Sequence, residues 1–380
     1  MKLIALKDVC KINMGQSPNS SSYNDYGDGM PFFQGNADFG ERYPITRVWC
    51  NTPTKIAQAE DILISVRAPI GALNYAKEEC CIGRGLAAIT PDRNKVSQDF
   101  IYWALKGKKA ELNDKGNGST FKAISRKILE ETMIPDINFE QQHKCAENLE
   151  KIYGIIQNRR KELLALDDLI KARFVEMFGD LANPECSWDK CKFVDACADK
   201  DDIKCGPFGT QLSKDEYTTS GIAVWEIPQI NTAFLSEPTH FLTEEKAEQL
   251  NSYTIIPGDI AMSRKGNVGK CALFPNDYPD GIIHSDVLRI RVDRERLNPA
   301  FMVCQLHFSG FVTRQIELVS SGAIMAGVNV TKLKQIYVHV PPMDLQNQFA
   351  DFVRQVDKSK LMFQKLHQKL NILRQKAGNI

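Results

Sequence analysis

A chain of 380 residues, 43% apolar and 25% charged, has the composition of an ordinary soluble protein and is long enough for two or more domains with cores of their own. Its formal net charge of +1 excludes a whole-molecule basic field, so any nucleic-acid contact must come from cations gathered on one face. No apolar run approaches the ~20 residues of a membrane span, Met1 to Asn13 lacks a signal-peptide core, and the eleven cysteines are odd in number with no C-x-x-C pair; these features together imply a cytoplasmic protein with reduced thiols.

In chain order, the glycine-rich tract from Gly15 to Gly40 reads as loops over a sheet. "DILISV" from Asp61 and "GLAAIT" from Gly85 have strand length, the first rich in branched apolar residues. "SQDFIYWALKGKKAEL" reads as a helix capped by Ser97, with Phe100, Trp103 and Ala104 on one side. From Phe139 to Phe178 there is no proline and one glycine, Gly154, which predicts a long helix. Its apolar stripe is Leu149, Tyr153, Ile156, Leu163, Ile170, Phe174 and Met177, interrupted by Arg160 and Asp167. Gly206 to Gly221 reads as a second loop tract, "DIAMS" from Asp259 as a strand, and "DVLRIRV" from Asp286 as a strand with Arg289, Arg291 and Asp293 facing out. "LNPAFMVCQLHF" is a helix with Asn298 as cap and Pro299 at its first position. The last long helix keeps a heptad rhythm through Leu345, Phe349, Phe352, Val356, Ser359, Phe363, Leu366, Leu370 and Leu373.

These elements form a repeat. Glu60 to Gly71 matches Gly258 to Gly269 at an offset of 198, with Asp61, Ser65, Arg67 and Gly71 falling on Asp259, Ser263, Lys265 and Gly269. "FIYWAL" at Phe100 matches "FMVCQL" at Phe301, and "GSTFKAIS" at Gly118 matches "GAIMAGVN" at Gly322 more loosely. "IPDINFEQQ" from Ile134 matches "VPPMDLQNQ" from Val340 at an offset of 206, which pairs Pro135 with Pro341, Phe139 with Leu345 and Gln142 with Gln348. The predicted fold is α+β: two similar mixed α/β domains, 1–138 and 179–343, joined by long helices 139–178 and 344–380. A sustained apolar stripe needs a partner helix, and the other copy is the nearest, so an antiparallel coiled coil with pseudo-two-fold symmetry is expected. Its packing residues would be Leu149, Tyr153, Ile156, Leu163, Ile170 and Phe174 against Phe349, Phe352, Val356, Phe363, Leu366 and Leu370. An ordinary bundle core or a homodimer zipper would give a similar stripe; the repeat favours the internal pair.

Signals of catalysis are weak. "NPAF" at Asn298 approaches a methyltransferase motif but has no glycine-rich cofactor loop beside it, and reads as a capped helix start. "RKGNVGKC" from Arg264 lacks phosphate-loop spacing and reads as a turn, and "TEEKAE" at Thr243 reads as a polar helix rather than nuclease ligands. The six histidines form no metal-binding pattern, and Cys186, Cys191, Cys197 and Cys205 are spaced too loosely for zinc. No catalytic residue, metal or cofactor is expected.

The sequence resembles the DNA specificity subunit of type I restriction–modification systems. The resemblance is carried by "LKDVCKINMGQSP" near the start, "GPFGTQLSKDEY" from Gly206, "GSTFKAIS", the two helix starts, and above all the order domain, helix, domain, helix. It covers nearly the whole chain; "GAIMAGVN" is a less typical version of its counterpart. The resemblance implies that two target-recognition domains each read one half of a bipartite double-stranded DNA site. It further implies that the helices separate them and dock two modification (methyltransferase) subunits, that restriction subunits join that complex, and that the chain is itself non-catalytic. Kindred readings are the specificity subunit of another multisubunit restriction system, or a protein-only coiled-coil scaffold.

Arg and Lys suit guanine edges, Asn and Gln suit adenine, and hydroxyls suit phosphates. The loops offer Gln16, Ser17, Gln34, Asn36, Arg67, Arg84, Ser119, Thr120 and Lys122 in the first domain. In the second they offer Thr210, Gln211, Gln229, Asn231, Arg264, Lys265, Asn267 and Ser285. Arg67 and Lys265 stand out because each follows the equivalent strand of its copy, whereas Phe33 and Trp225 read as core.

Overall fold

The structure is a computed structural model. It describes residues 2–117, 122–183, 185–320 and 327–378, with side chains described only as far as residue 360. The chain divides into two compact units, one of Met1–Lys161 with the chain from Phe363 onward, the other of Glu162–Met362.

The strands of the first unit are β1 (Leu3–Ala5), β2 (Cys10–Met14), β3 (Tyr23–Asn24), β4 (Met30–Phe33), β5 (Trp49–Cys50), β6 (Ile56–Ala57), β7 (Ile62–Ser65), β8 (Leu73–Tyr75), β9 (Cys80–Ile82), β10 (Leu86–Pro91) and β11 (Met133–Pro135). They form an antiparallel sheet ordered β2-β10-β7-β8, a sheet ordered β3-β5-β4-β9-β6 and the pair β1-β11. The second unit holds β12 (Lys190–Lys192), β13 (Ile203–Cys205), β14 (Ile222–Trp225), β15 (His240–Leu242), β16 (Thr254–Ile255), β17 (Ile260–Ser263), β18 (Cys271–Leu273), β19 (Gly281–Ile283), β20 (Val287–Ile290) and β21 (Tyr337–His339). Their sheets run β13-β20-β17-β18, β15-β14-β19-β16 and β12-β21. The topology recurs: an antiparallel four-stranded sheet, a second sheet of five strands in one unit and four in the other whose β4–β9 or β14–β19 pair is parallel, and a two-stranded ribbon. The predicted repeat is therefore real at the level of chain trace.

In each unit the four-stranded sheet is covered on both faces. Alternate residues Ile62, Ile64, Ala87 and Ile89 pack with Phe100, Ile101 and Trp103 of the Gln98–Gly107 helix. The other face, Leu63, Leu86 and Ala88, packs with Phe33, Ala57 and Ile82 of the second sheet. In the second unit Met262, Leu288 and Ile290 meet Phe301 and Leu306 of the Pro299–Phe308 helix, while Ala261 and Val287 meet Trp225 and Phe274. This overturns the outward position expected of Arg289 in "DVLRIRV", while Arg291 and Asp293 lie past the end of the strand and are half-buried. Arg289 is buried, and its guanidinium donates to the carbonyls of Asp201, Thr254 and Ser252 at 2.9, 3.0 and 3.3 Å. Arg291 donates two bonds of 2.8 and 2.7 Å to the buried Asp259 carboxylate. A strand covered on both sides has no solvent face, so its charges must find partners inside.

The helix starts carry the expected Asn298 cap, whose Oδ1 accepts from the Ala300 N–H, and Pro299 in the first turn. Ser97 stands at the cap position of its helix but its hydroxyl makes no cap bond. The Gly15–Gly40 tract is not loop alone, since it contains β3 and β4. Gly206–Gly221 is loop apart from the single turn Lys214–Glu216.

The long helices run Phe139–Phe178 and Met343–Gly378. Each is fastened to its domain by a glutamine near its start. Gln142 Oε1 accepts from the Ser97 N–H at 2.7 Å while its Nε2 donates to the Ile137 carbonyl at 2.8 Å. Gln346 does the same with the Asn298 N–H at 2.8 Å and the Pro341 carbonyl at 2.6 Å, and adds Arg296 at 3.0 Å. The true equivalent of Gln142 is thus Gln346, not Gln348, and the helix starts correspond at an offset of 204, not 206. Chance identity at Pro341 and Gln348 displaced the alignment by two positions.

Within the second unit the two helices run antiparallel. Phe174 and Phe178 lie 5.6 and 5.5 Å from Phe349, and Lys360 Nζ sits 2.6 Å from Asp167 Oδ1. Ile170, Phe349 and Val356 are buried there and Phe352 is partly buried. In the first unit Leu149 and Tyr153 turn onto the core of their own domain, Tyr153 at 5.6 Å from Trp103, rather than serving only a helix–helix seam. Ile156 is buried and Leu163 half-buried; the side chains of Phe363, Leu366 and Leu370 lie outside the described residues.

His339 is buried on β21, its ring 5.0 Å from Phe311 and its Nδ1 without a hydrogen-bond partner among the described residues. Burial first, and Lys190 second, push its pKa below the ordinary histidine value. The folded state thus prefers the neutral ring, and its stability is present above the unfolded-state pKa of about 6.5 and lost as pH falls below it. The melting temperature should fall between pH 7.5 and 5.5, and His339→Gln should flatten that dependence, as read by thermal denaturation across pH.

Candidate nucleic-acid interface

The ends of β2, β4, β7 and β9 and the start of β10 meet at one edge of the first domain, and backbone hydrogen bonds lock the loops that leave them. Gly15 N donates to Leu86 O, Gly83 N to Phe33 O, and Val66 N to Gly85 O, at 2.9, 2.8 and 2.9 Å. Ile124 N donates to Val66 O at 2.9 Å, and Arg67 bridges Ala123. The second domain repeats each bond: Gly206 N to Val287 O, His284 N to Trp225 O, Arg264 N to Asp286 O and Val328 N to Arg264 O, with Lys265 bridging Gly327. The equivalence of Arg67 and Lys265 is therefore structural. By the same bonds Gln34 corresponds to Glu226, Arg84 to Ser285 and Gly85 to Asp286.

In the first domain this edge gathers Gln16, Ser17, Gln34, Arg67, Arg84 and Lys122. Gln16, Gln34, Arg67, Arg84 and Lys122 are exposed, and Ser17 Oγ accepts from the Arg84 N–H at 3.2 Å. Asn36 is half-buried in the turn after β4, where Asp38 accepts from the N–H groups of Gln34 and Gly35 at 2.7 and 3.2 Å. Among the described residues no carboxylate pairs with Arg67, Arg84 or Lys122. Ser119 and Thr120 lie outside the described residues.

The second domain's edge is more occupied by internal bonds. Lys265 Nζ is 2.8 Å from Asp286 Oδ1. Arg264 donates to Val328 O at 3.3 Å and stands 5.2 Å over the Phe208 ring. Gln211 Oε1 accepts from Tyr253 Oη at 2.9 Å, and Asn267 Nδ2 reaches Asn231 Oδ1 at 3.4 Å. Thr210 is exposed and Ser285 half-buried. Gln229 is not a loop residue open to a ligand: it is buried, and its amide holds the backbone of Glu226 and Glu237 at 3.1 and 2.9 Å. Phe33 and Trp225 are core, as expected.

Sequence reasoning missed a cluster at this second edge. Glu226 Oε2 is 2.8 Å from His240 Nδ1, the Tyr217 ring stacks on His240 at 4.7 Å, and His284 Nε2 is 4.0 Å from Glu226 Oε1. Burial first, then Glu226 and Asp286, raise the Tyr217 phenol above its ordinary value, keeping it a neutral donor. The available signal was positional: Glu226 follows its strand as Gln34 follows "PFF". Carboxylates in a groove accept from base amino groups, while free Arg and Lys donate to guanine or phosphate. The two edges thus share a backbone and differ in charge.

Among the described residues no group of three or more His, Cys, Asp or Glu is placed to hold a metal ion, and no helix is long and apolar enough to cross a membrane. Burial first, then Asp202, pushes the half-buried Cys197 thiol up to about 12.

The chain is thus a doubled α/β domain with a polar loop edge on each copy and a long helix that starts from each. The family model for the type I restriction modification DNA specificity domain matches residues 1–165 and 208–373, and the chain belongs to that family. It is 47% identical over 152 residues to the type I restriction enzyme MjaX specificity subunit of Methanocaldococcus jannaschii, an alignment covering 40% of this chain and 36% of that protein, well under two thirds of its length. It is 22% identical over 372 residues to the MjaIX specificity subunit of the same organism, covering 92% of this chain and 85% of that one. The crystal structure of the type I S subunit from M. genitalium shares its fold, with a TM-score of 0.60 at 16% identity, covering 99% of this chain and 94% of that one.

Gly15 and Gly206 are the hubs of the two edges. A Cβ at Gly15 would stand 2.1 Å from the Gly83 carbonyl oxygen, and one at Gly206 would stand 2.3 Å from that of His284. Backbone cannot yield as a flexible side chain can, so Gly15→Ala and Gly206→Ala should each destabilise their unit by about 1–3 kcal/mol, measured as a lowered denaturation midpoint.

Proposed function

We propose that the chain is the non-catalytic, sequence-specific DNA-recognition subunit of a type I restriction–modification complex acting in the cytoplasm. Residues 1–138 and 179–343 serve as target-recognition domains, each reading one half of a bipartite site in double-stranded DNA. The helices 139–178 and 344–380 set the unread spacer and dock two modification subunits, which carry the methyltransferase chemistry, and restriction subunits join through that complex. The chain needs no metal or cofactor for this role. The observation that carries the reading is the repeated loop edge, held by the same backbone bonds in both domains, in a chain that belongs to the DNA specificity family.

In mechanism, the strand ends aim polar side chains at a groove. Gln16, Ser17, Gln34, Asn36, Arg67, Arg84 and Lys122 act at one half-site, with Ser119 and Thr120 in the same chain segment. Thr210, Gln211, Asn231, Arg264, Asn267 and Ser285 act at the other, where Lys265 stands paired with Asp286. Gln229 supports its loop from inside. Backbone contacts set position and base-edge contacts set sequence.

Methylation mapping in cells carrying the intact system should return a two-part motif with a fixed gap; an undivided motif, or none, would overturn the reading. Arg67→Ala should cost about 1–3 kcal/mol at the first half-site and leave discrimination at the second intact, in competition binding by the assembled complex. An extra turn in both long helices, ~5.4 Å, should lengthen the preferred spacer by one or two base pairs of ~3.4 Å each, as read by the same mapping.

A further inference from the structure

Resting on the recognition reading, we propose that Asp286 is a positioning residue that withholds Lys265 from DNA phosphates, so that the second domain grips the backbone less than the first. The argument is a comparison of equivalent atoms. Arg67 and Lys265 leave their sheets at the same place, each bridged to the segment that returns past it. The residue whose carbonyl accepts from the position just before each cation is Gly85 in one domain and Asp286 in the other.

A side chain is impossible at Gly85. A Cβ there would stand 2.3 Å from the Gln34 carbonyl oxygen, because the Gly85 N–H donates to that carbonyl at 3.1 Å. In the second domain the backbone N–H of Asp286 turns instead to His284 Nδ1 at 3.2 Å, which leaves room for a carboxylate. Its Oδ1 then reaches Lys265 Nζ at 2.8 Å, with the lysine side chain 46% exposed and the aspartate 28% exposed. Two more changes run the same way. Arg84 is replaced by Ser285, and Gln34 by Glu226. Of the charged groups nearby, His284 lies 3.9 Å from Asp286 and 4.0 Å from Glu226, Glu226 is bound to His240, and Arg264 is fastened to Val328, so none of these supplies a free cation in compensation.

As a contribution to stability, a half-exposed ion pair of this kind is worth little. Its consequence for DNA is different in kind. A cation that neutralises a phosphate releases a counterion and adds about 0.9 to the salt slope of binding, whereas a lysine already paired with Asp286 releases none.

The test is the salt dependence of DNA binding by the full chain assembled with its modification subunits. Asp286→Asn keeps the backbone bonds and frees Lys265. The slope of log K against log salt should steepen by about one, equivalent to about 3.5-fold greater loss between 50 and 200 mM salt, and affinity for unrelated DNA should rise. Asp286→Ser should do the same, Asp286→Glu should restore the wild-type slope, and Lys265→Ala added to Asp286→Asn should abolish the gain. A purely structural role for Asp286 would lower affinity without steepening the slope. An unchanged or shallower slope in both the Asn and Ser variants, each with a wild-type melting curve, overturns the inference, as does a gain that persists without Lys265. A wild-type complex that binds no DNA at any salt overturns the recognition reading itself and this inference with it.

Discussion

The constraint on which the rest depends is the double coverage of the four-stranded sheet in each unit. Ile62 and Ile64 face a helix while Leu63, between them, faces the second sheet, and Met262 and Ala261 divide their packing in the same way. Full burial of each such aliphatic side chain is worth about 1.5–3 kcal/mol. A one-residue slip in register would exchange every one of them between unlike surfaces. The strands therefore have one register and one set of ends. The loops that leave those ends inherit a fixed origin, and polar side chains that cannot enter the sheet collect on them. Position of the candidate site is in this sense a by-product of burial.

The same logic ties the long helices to their domains. A helix entering from a loop can swing about its first turn unless something fixes it. Gln142 and Gln346 fix it with one amide each, accepting from the start of an earlier helix of the domain and donating to the chain just before their own. Both glutamines are buried, so neither bond competes with water, and loss of one would leave an enclosed polar group unpaired. The aromatic cluster of Phe174, Phe178, Phe301 and Phe349 then welds the second unit's helix segments to its domain with rings about 5–6 Å apart.

What the sequence made legible was what periodicity and repetition can carry. A 40-residue span without proline announced the Phe139–Phe178 helix, and the match of "DILISVRAPIG" to "DIAMSRKGNVG" located β7 and β17. The second sheet in each domain was not legible, because strands such as Tyr23–Asn24, Trp49–Cys50 and Thr254–Ile255 are two residues long and leave no alternation. Arg289 of "DVLRIRV" misled for the opposite reason: alternation was present, but that face of the strand is buried and the guanidinium is held by backbone carbonyls. The loop residues were legible as a set and not one by one. Arg67 is open and Gln229 is enclosed, yet both are polar residues near a strand end, and only the hydrogen bonds of the folded chain distinguish them.

Those bonds also explain how one scaffold can present unlike surfaces. At each edge the loops are held chiefly by backbone N–H and carbonyl groups, so the side chains are largely released from folding duty. Arg84 and Ser285 occupy the same place with different charge, and so do Gln34 and Glu226. The exception is instructive. Where the backbone of one loop crosses directly over another, as Gly85 does over Gln34, a side chain is forbidden and chemistry can change only if the crossing is rerouted. The second domain does this through His284, and gains a carboxylate there. A net charge of +1 over 380 residues is then no obstacle to contact with a polyanion. Cations stand unopposed at one edge and opposed at the other whatever the total, so that under the proposed reading grip and discrimination need not be supplied in equal measure by both halves of the chain.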